Sequence, residues 1–365
     1  MKPVPVPHRA FLRRGIGPAA ALVLAALLPG ARAELAQVQP RALEFPADHG
    51  SHPGFRTEWW YLTGWLRDAE GSPLGFQVTF FRTRPDTPRD NPSAFAPHHI
   101  LIGHAAISDP ARGRLIHDQR IARAGFGLAE AKQGDTAVWI DDWRLERAGN
   151  QYRTRISARE FALDLALEIT QPPLLQGDQG VSRKGSDPRS ASHYYSVPQL
   201  RVSGTLARNG KTAAITGSAW LDHEWSSRYV AQGAVGWDWI GINLADGGAL
   251  MAFRMRDAEG RSVWAGGALR PPRGEVTVFK PEEVAFEPRR VWRSPRTGTA
   301  YPVAMTVRAG SLEVELEPQL DDQELDARAS SGVIYWEGAV RAIAKGRLIG
   351  QGYLELTGYW KPMDL

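Results

Sequence analysis

TEWWYLTGWLRDAEGSPLGFQVTFF (Thr57 to Phe81) and GWDWIGINLADGGALMAFRMRD (Gly236 to Asp257) read as two copies of one hairpin. In each, a Trp-rich strand enters an acidic, glycine-containing turn (Asp68, Glu70 and Gly71; Asp246, Gly247 and Gly248) and leaves as a Phe-bearing strand. That is the pattern of a β-hairpin. Each copy stands near the start of a long run of strand-like sequence, so the chain predicts an all-β fold made by duplication. Domains of this kind enclose ligands and lack the crossover helix of nucleotide-binding folds.

Outward from the hairpins the period-two signal continues. Phe161, Leu163, Leu165, Leu167 and Ile169 share one face, and Leu312, Val314 and Leu316 interleave with Glu313, Glu315 and Glu317, as half-buried strands require. Turn signals at Gly149-Asn150, Asn209-Gly210 and Gly247-Gly248 separate such runs, and no long stretch has helical period. Counting runs gives about nine strands from Thr57 to Trp225 and about eight from Gly236 to Trp360, enough for two up-and-down barrels or tightly wound sandwiches. The linker is expected within 226–235, and surface loops at 85–97 and 176–189.

Residues 1–33 read separately. Lys2, Arg9, Arg13 and Arg14 precede an apolar run from Pro18 to Leu28, and Ala31-Arg32-Ala33 forms a small-x-small cleavage site, the layout of a secretory signal peptide. The domain plan is therefore 1–33 leader, 34–228 first barrel and 229–365 second barrel, with export to the periplasm or beyond. Removing the leader's five basic residues from 44 leaves 39 against 40 acidic, so the chain has no basic footprint for nucleic acid. Zero cysteines exclude disulfides, a thiol nucleophile and thiolate-bound metals.

Chemistry is concentrated where tryptophan meets acid: Glu58-Trp59-Trp60, Asp222-His223-Glu224-Trp225, Trp237-Asp238-Trp239 and Trp336-Glu337. Strand parity puts His223 and Trp225 on one face with Leu221, and Asp222 and Glu224 on the other with Trp220. It likewise separates Asp238 from Trp237 and Trp239. One reading is structural, with rings closing barrel ends and acids facing water. The other is an aromatic cavity in which a desolvated carboxyl stays protonated near neutral pH and protonates an alkene, indole faces stabilising the cation.

The segments TEWWYLTGWL, HAAISD (His104 to Asp109), YYSVPQL (Tyr194 to Leu200), GSAWLDHEWSS (Gly217 to Ser227) and GWDWIGINL (Gly236 to Leu244) together resemble the carotenoid 1,2-hydratase (hydroxyneurosporene synthase) family and its secreted AttH-like branch. The resemblance runs from about Phe45 to Trp360. It implies two consecutive lipocalin-like antiparallel β-barrels and a hydrophobic isoprenoid or lipid ligand. For the hydratases it implies water addition to a carotenoid double bond with no cofactor and no metal, and for the AttH-like branch a lipid carrier serving a membrane exporter. His223 and Trp225 match the hydratases' His-x-Trp. The Tyr and Asp that the hydratases carry in the next hairpin have no counterpart in Ala249 to Met255. Asp222, Glu224 and Asp238 are then the candidates for proton donor beside His223, with Trp225, Trp237, Trp239, Trp60 and Tyr195 lining the ligand site.

Other candidates are weaker. His98, His99 and His104 lack an acidic partner at zinc spacing; His104 reads instead as capping a strand or as the partner of a buried hydroxyl. Gly-x-Ser-x-Gly is missing, so no hydrolase nucleophile is selected. A secreted Trp-rich β-domain also fits glycan stacking, which would need its rings exposed in a shallow groove.

Overall fold

The structure is a computed structural model that describes residues 34–88 and 91–363; the leader read at 1–33 lies outside the described residues. The first domain comprises β1 (Thr57–Arg67), β2 (Pro73–Thr83), β3 (Ile100–Asp109), β4 (Arg114–Arg123), β5 (Ala129–Ala131), β6 (Ala137–Ile140), β7 (Trp143–Ala148), β8 (Gln151–Ser157), β9 (Phe161–Glu168), β10 (Leu174–Leu175), β11 (Val181–Arg183), β12 (Ala191–Arg208) and β13 (Lys211–Arg228). The second comprises β14 (Gly236–Leu244), β15 (Ala249–Arg256), β16 (Ser262–Arg270), β17 (Thr277–Phe279), β18 (Val284–Arg293), β19 (Ala300–Ala309), β20 (Leu312–Pro318), β21 (Glu324–Ala327), β22 (Val333–Ala344) and β23 (Arg347–Leu356). Residues 229–235 connect them, inside the expected linker. The strands exceed the nine and eight expected because pieces such as β5, β10, β11, β17 and β21 are too short to show a period of two.

Pairing is antiparallel throughout. The first sheet runs β4-β3-β2-β1-β13-β12-β9-β8-β7-β6-β5 and the second β17-β16-β15-β14-β23-β22-β20-β19-β18. Each is a mostly local meander closed by one long-range pairing, β1 with β13 and β14 with β23. The first sheet curls until its ends meet. Arg120 of β4 donates to the Ile140 carbonyl at 3.1 Å and lies 4.6 Å over the Trp143 ring.

The duplicated hairpins match down to a buried ion pair. Glu58 on β1 stands opposite Arg82 on β2, and Asp238 on β14 stands opposite Arg254 on β15, with contacts of 2.8 and 2.6 Å. On that face Trp60 and Leu62 enter the first core and Ile240 and Ile242 the second. The opposite face of each strand is buried too. Tyr61, Trp65, Trp239 and, half-buried, Trp59 and Trp237 form a third apolar cluster between the domains. Burial on both faces accounts for the nearly unbroken hydrophobicity of these two strands.

Direct contacts join the domains. Trp65 donates its indole N–H to the Gly352 carbonyl at 3.0 Å, Ser108 donates to Gln323 at 2.6 Å, and Asn243 donates to the Ala219 carbonyl at 3.0 Å. Gly75 permits a close approach: a Cβ there would fall 2.7 Å from both Ala339 Cβ and the Tyr353 hydroxyl.

Candidate active site between the two barrels

A cavity of about 420 Å³ lies between the outer faces of the two hairpins. Register sets its first-domain wall in rows. The deepest row is Asp222, Tyr61, Thr79 and His104, the next Glu224, Trp59, Phe81, Ile102 and Ile121, and the outermost Thr57, Thr83 and Ile100. The second domain supplies Trp237 and Trp239 from β14, Phe253 and Met255 from β15, and Tyr335, Glu337 and Glu355 from β22 and β23. Gly241 makes room for the Trp239 indole, which would lie 2.4 Å from a Cβ at that position. Tyr61 then meets Trp239 edge-on with centroids 5.3 Å apart.

Four carboxyl groups enter this wall. Asp222 accepts from the Tyr194 hydroxyl at 2.7 Å, the Ser196 hydroxyl at 2.5 Å and the Trp220 indole at 2.7 Å. Trp239 in turn donates to the Tyr194 oxygen at 3.0 Å. Burial pushes the Asp222 carboxyl up, these donors oppose it, the Glu224 charge adds to the rise, and it settles at about 7. Glu224 is held by Lys184 at 2.8 Å and by a short hydrogen bond from Ser192. Lys184 comes from the segment read as a surface loop. That segment folds inward, placing the ammonium 4.3 Å over Phe253.

Glu337 and Glu355 face each other across β22 and β23. Burial and the facing Glu355 charge hold Glu337 well above the ordinary carboxyl range, because adjacent desolvated carboxylates cannot both ionise at low cost. Burial, opposed by a hydrogen bond from Trp237 and reinforced by the charges of Asp222, Glu224 and Asp238, raises Glu355 to about 8. Tyr61 and Tyr335 lie close enough to favour the charged form of Glu337. Even so, Glu337 Oε1 and the Tyr61 and Tyr353 hydroxyls have no hydrogen-bond partner. The Tyr335 hydroxyl shares a 2.8 Å hydrogen bond with His104 Nδ1, and burial keeps His104 neutral, its pKa lowered to about 3. His104 thus partners a buried hydroxyl, the second of the two roles its sequence setting offered.

His223, Trp225, Trp60 and Tyr195 are brought together elsewhere, inside the first barrel. His223 Nε2 lies 2.9 Å from Glu58 Oε1 and its Nδ1 3.1 Å from the Tyr195 hydroxyl, with Trp60 stacked at 4.6 Å. Trp225 stacks on His52 at 3.7 Å. Burial would raise the Glu58 carboxyl, but hydrogen bonds from His223 and His52 and the charge of Arg82 hold it well below its ordinary range. His52, Glu58 and His223 could geometrically hold a cation. Those atoms are spent on one another, however, and Arg82 Nε occupies the second Glu58 oxygen at 2.8 Å. The group is a charge lock on the barrel end.

Asp238 also stays out of the cavity wall. It points into the second barrel, where Arg254, Arg256 and the Tyr359 hydroxyl bind it at 2.6, 3.2 and 3.0 Å. Of the residues singled out from sequence, Asp222, Glu224, Trp237 and Trp239 line the cavity. His223, Trp225, Trp60, Tyr195 and Asp238 do not, because parity turns them to the opposite faces of the same strands. Glu337 was visible only as one of several Trp-acid pairs, and Glu355 not at all. The available signal was the apolar parity of Leu354 and Leu356, which commits Glu355 to the other face.

The Asp222 shift has a measurable consequence. A carboxyl raised in the folded state contributes stability that is complete below its unfolded value near 3.8 and is lost as pH rises to about 7. Asp222→Asn has no such loss. Between about pH 4 and 7.5, urea titrations of variant and parent should diverge in the variant's favour by a few kcal/mol. A pH-independent difference would mean that Asp222 titrates as an ordinary carboxylate.

Known proteins share this architecture. The family described as AttH-like matches residues 36–359. A crystal structure from Nitrosomonas europaea described as an AttH is 53% identical, covers 89% of this chain and 100% of its own, and superposes with a TM-score of 0.84. Kievitone hydratase from Nectria haematococca shares the fold at 13% identity, 90% and 97% coverage and a TM-score of 0.66. CghA does so at 12%, 88% and 96%, and 0.51. No curated protein matches the sequence. The AttH-like side of the sequence resemblance is the one that the family match and the Nitrosomonas structure carry, and kievitone hydratase shares the two-domain fold alone. The chain belongs to the AttH-like family.

Proposed function

We propose that the protein binds a largely apolar, unsaturated molecule of the isoprenoid type between its barrels and adds water to one carbon–carbon double bond by acid–base catalysis. The observation that carries this reading is Glu337: a buried carboxyl raised well above its ordinary range, with Oε1 unpartnered, in an aromatic-walled cavity. A protonated Glu337 gives its proton to one alkene carbon. The adjacent carbon becomes cationic beside the Trp59 and Trp239 rings, whose faces favour positive charge. Water adds there and yields its proton to Asp222, which at about 7 is partly ionised at neutral pH. One proton leaves Glu337 and one arrives at Asp222, so the net change is one water, and exchange with solvent resets both groups.

The volume suits a drug-sized molecule or the end of a longer polyene. With a leader-like 1–33, the reaction takes place outside the cytoplasm. That leader also favours a second reading, a non-catalytic carrier that passes lipid to a membrane exporter. Incubating the purified protein with an acyclic carotene in detergent, followed by mass spectrometry, separates the two. Product heavier by one water supports the hydratase, bound carotene without product supports the carrier, and neither outcome removes both.

A further inference from the structure

The cavity opens to the surface at Ile121, which lines it and is 49% exposed. Near that residue the surface carries large exposed apolar side chains. Phe95 in the loop after β2, and Phe126 and Leu128 in the turn after β4, are 74%, 64% and 59% exposed. The two Phe rings stack with centroids 6.0 Å apart and have no core behind them. Arg123 lies 4.6 Å over Phe126 and 5.5 Å over Phe95, and it donates to the Ala94 carbonyl at 3.1 Å. Beside them Trp139 donates to the Gly127 carbonyl at 3.1 Å beneath the Lys132 ammonium at 5.3 Å.

Two exposed loop rings that share one arginine, beside a half-buried Trp139 that carries a lysine, suit the boundary between water and lipid. There the ring enters the headgroup layer and the cation meets phosphate. Arg120 engages the neighbouring Asp142 and Asp141, which leaves Arg123 and Lys132, the cations that lie against the rings, to meet lipid phosphate. We propose that this rim docks on an anionic bilayer and brings the cavity mouth against it, so that an apolar ligand passes from lipid to cavity without crossing water. Only the purpose of the docking rests on the proposed function; the docking itself rests on the rim.

The test is flotation of the whole protein with extruded vesicles of phosphatidylcholine, alone or mixed with phosphatidylglycerol. The expected result is capture by the anionic vesicles, several-fold less by the neutral ones, and a loss of about tenfold for each Phe removed in Phe95→Ser and Phe126→Ser. Arg123→Glu should lose the preference for anionic lipid, and thermal melting of the two Phe variants should be unchanged because those side chains are exposed. Absent flotation, equal flotation of the Phe95→Ser/Phe126→Ser double variant, or self-association through the rim in its place would overturn the proposal. Because flotation requires no turnover, a protein that hydrates a detergent-solubilised substrate but does not float refutes the docking alone. One that floats without hydrating refutes the chemistry alone.

Discussion

Glu337→Gln is expected to lower hydration of an acyclic carotene by about 10²- to 10⁴-fold, the range that a positioned general acid contributes, while carotene binding changes little. The amide is nearly isosteric with the protonated acid, so cavity shape and the Tyr61 and Tyr335 contacts persist. What disappears is the transferable proton. The same variant run in deuterated water should fail to place deuterium on the substrate carbon, a readout that does not depend on completed hydration. Glu355→Gln should have a smaller effect. Removing the neighbouring charge lowers the Glu337 carboxyl toward its ordinary range, weakening the acid at high pH and sparing it at low pH. Loss of binding in step with loss of turnover would instead make Glu337 a packing residue.

The second large effect is on folding. Glu58→Ala should cost about 3–5 kcal/mol, the range for breaking a buried ion pair from one side. It strands Arg82, which is 2% exposed, and removes the carboxylate that His52 and His223 both contact at 2.8 and 2.9 Å. Combining Glu58→Ala with Arg82→Met should recover part of that cost, because the unpaired charge is then gone. Denaturant unfolding of the two single variants and the double variant measures the coupling, and strict additivity would refute the lock. Glu58 stays ionised in the fold, so its contribution is complete above the unfolded carboxyl range and is lost as acid protonates it. Asp222 and Glu337 have the opposite sign.

The barrels were legible because their periodicity is local. Trp237 and Trp239 emerge on one face with Asp238 on the other, as alternation demands, and the likeness of the two hairpins extends to the paired Glu58–Arg82 and Asp238–Arg254. Parity alone does not say which face of a strand turns inward. That depends on how the second barrel docks against the first, through contacts between residues far apart in sequence, such as Trp65 with Gly352. His223 and Trp225 therefore read as site residues although their face packs inside one barrel. Glu337 and Glu355 were obscured by the same ambiguity, since an acid on an outward face ordinarily meets water. Lys184 was hidden for another reason: the Gly- and Ser-rich segment around it has the composition of a surface loop.

The proposed chemistry requires the cavity to hold a neutral carboxylic acid at neutral pH. Infrared difference spectra of the parent protein against Glu337→Gln, recorded across the pH range in light and heavy water, test it most directly. The expected difference at pH 7 is a protonated-carboxyl C=O band from Glu337 that shifts on deuteration and is lost in the variant, over any band from Glu355 and Asp222 that both proteins keep. Spectra in which the parent carries no such band at pH 7 would show the cavity acids ionised and contradict it.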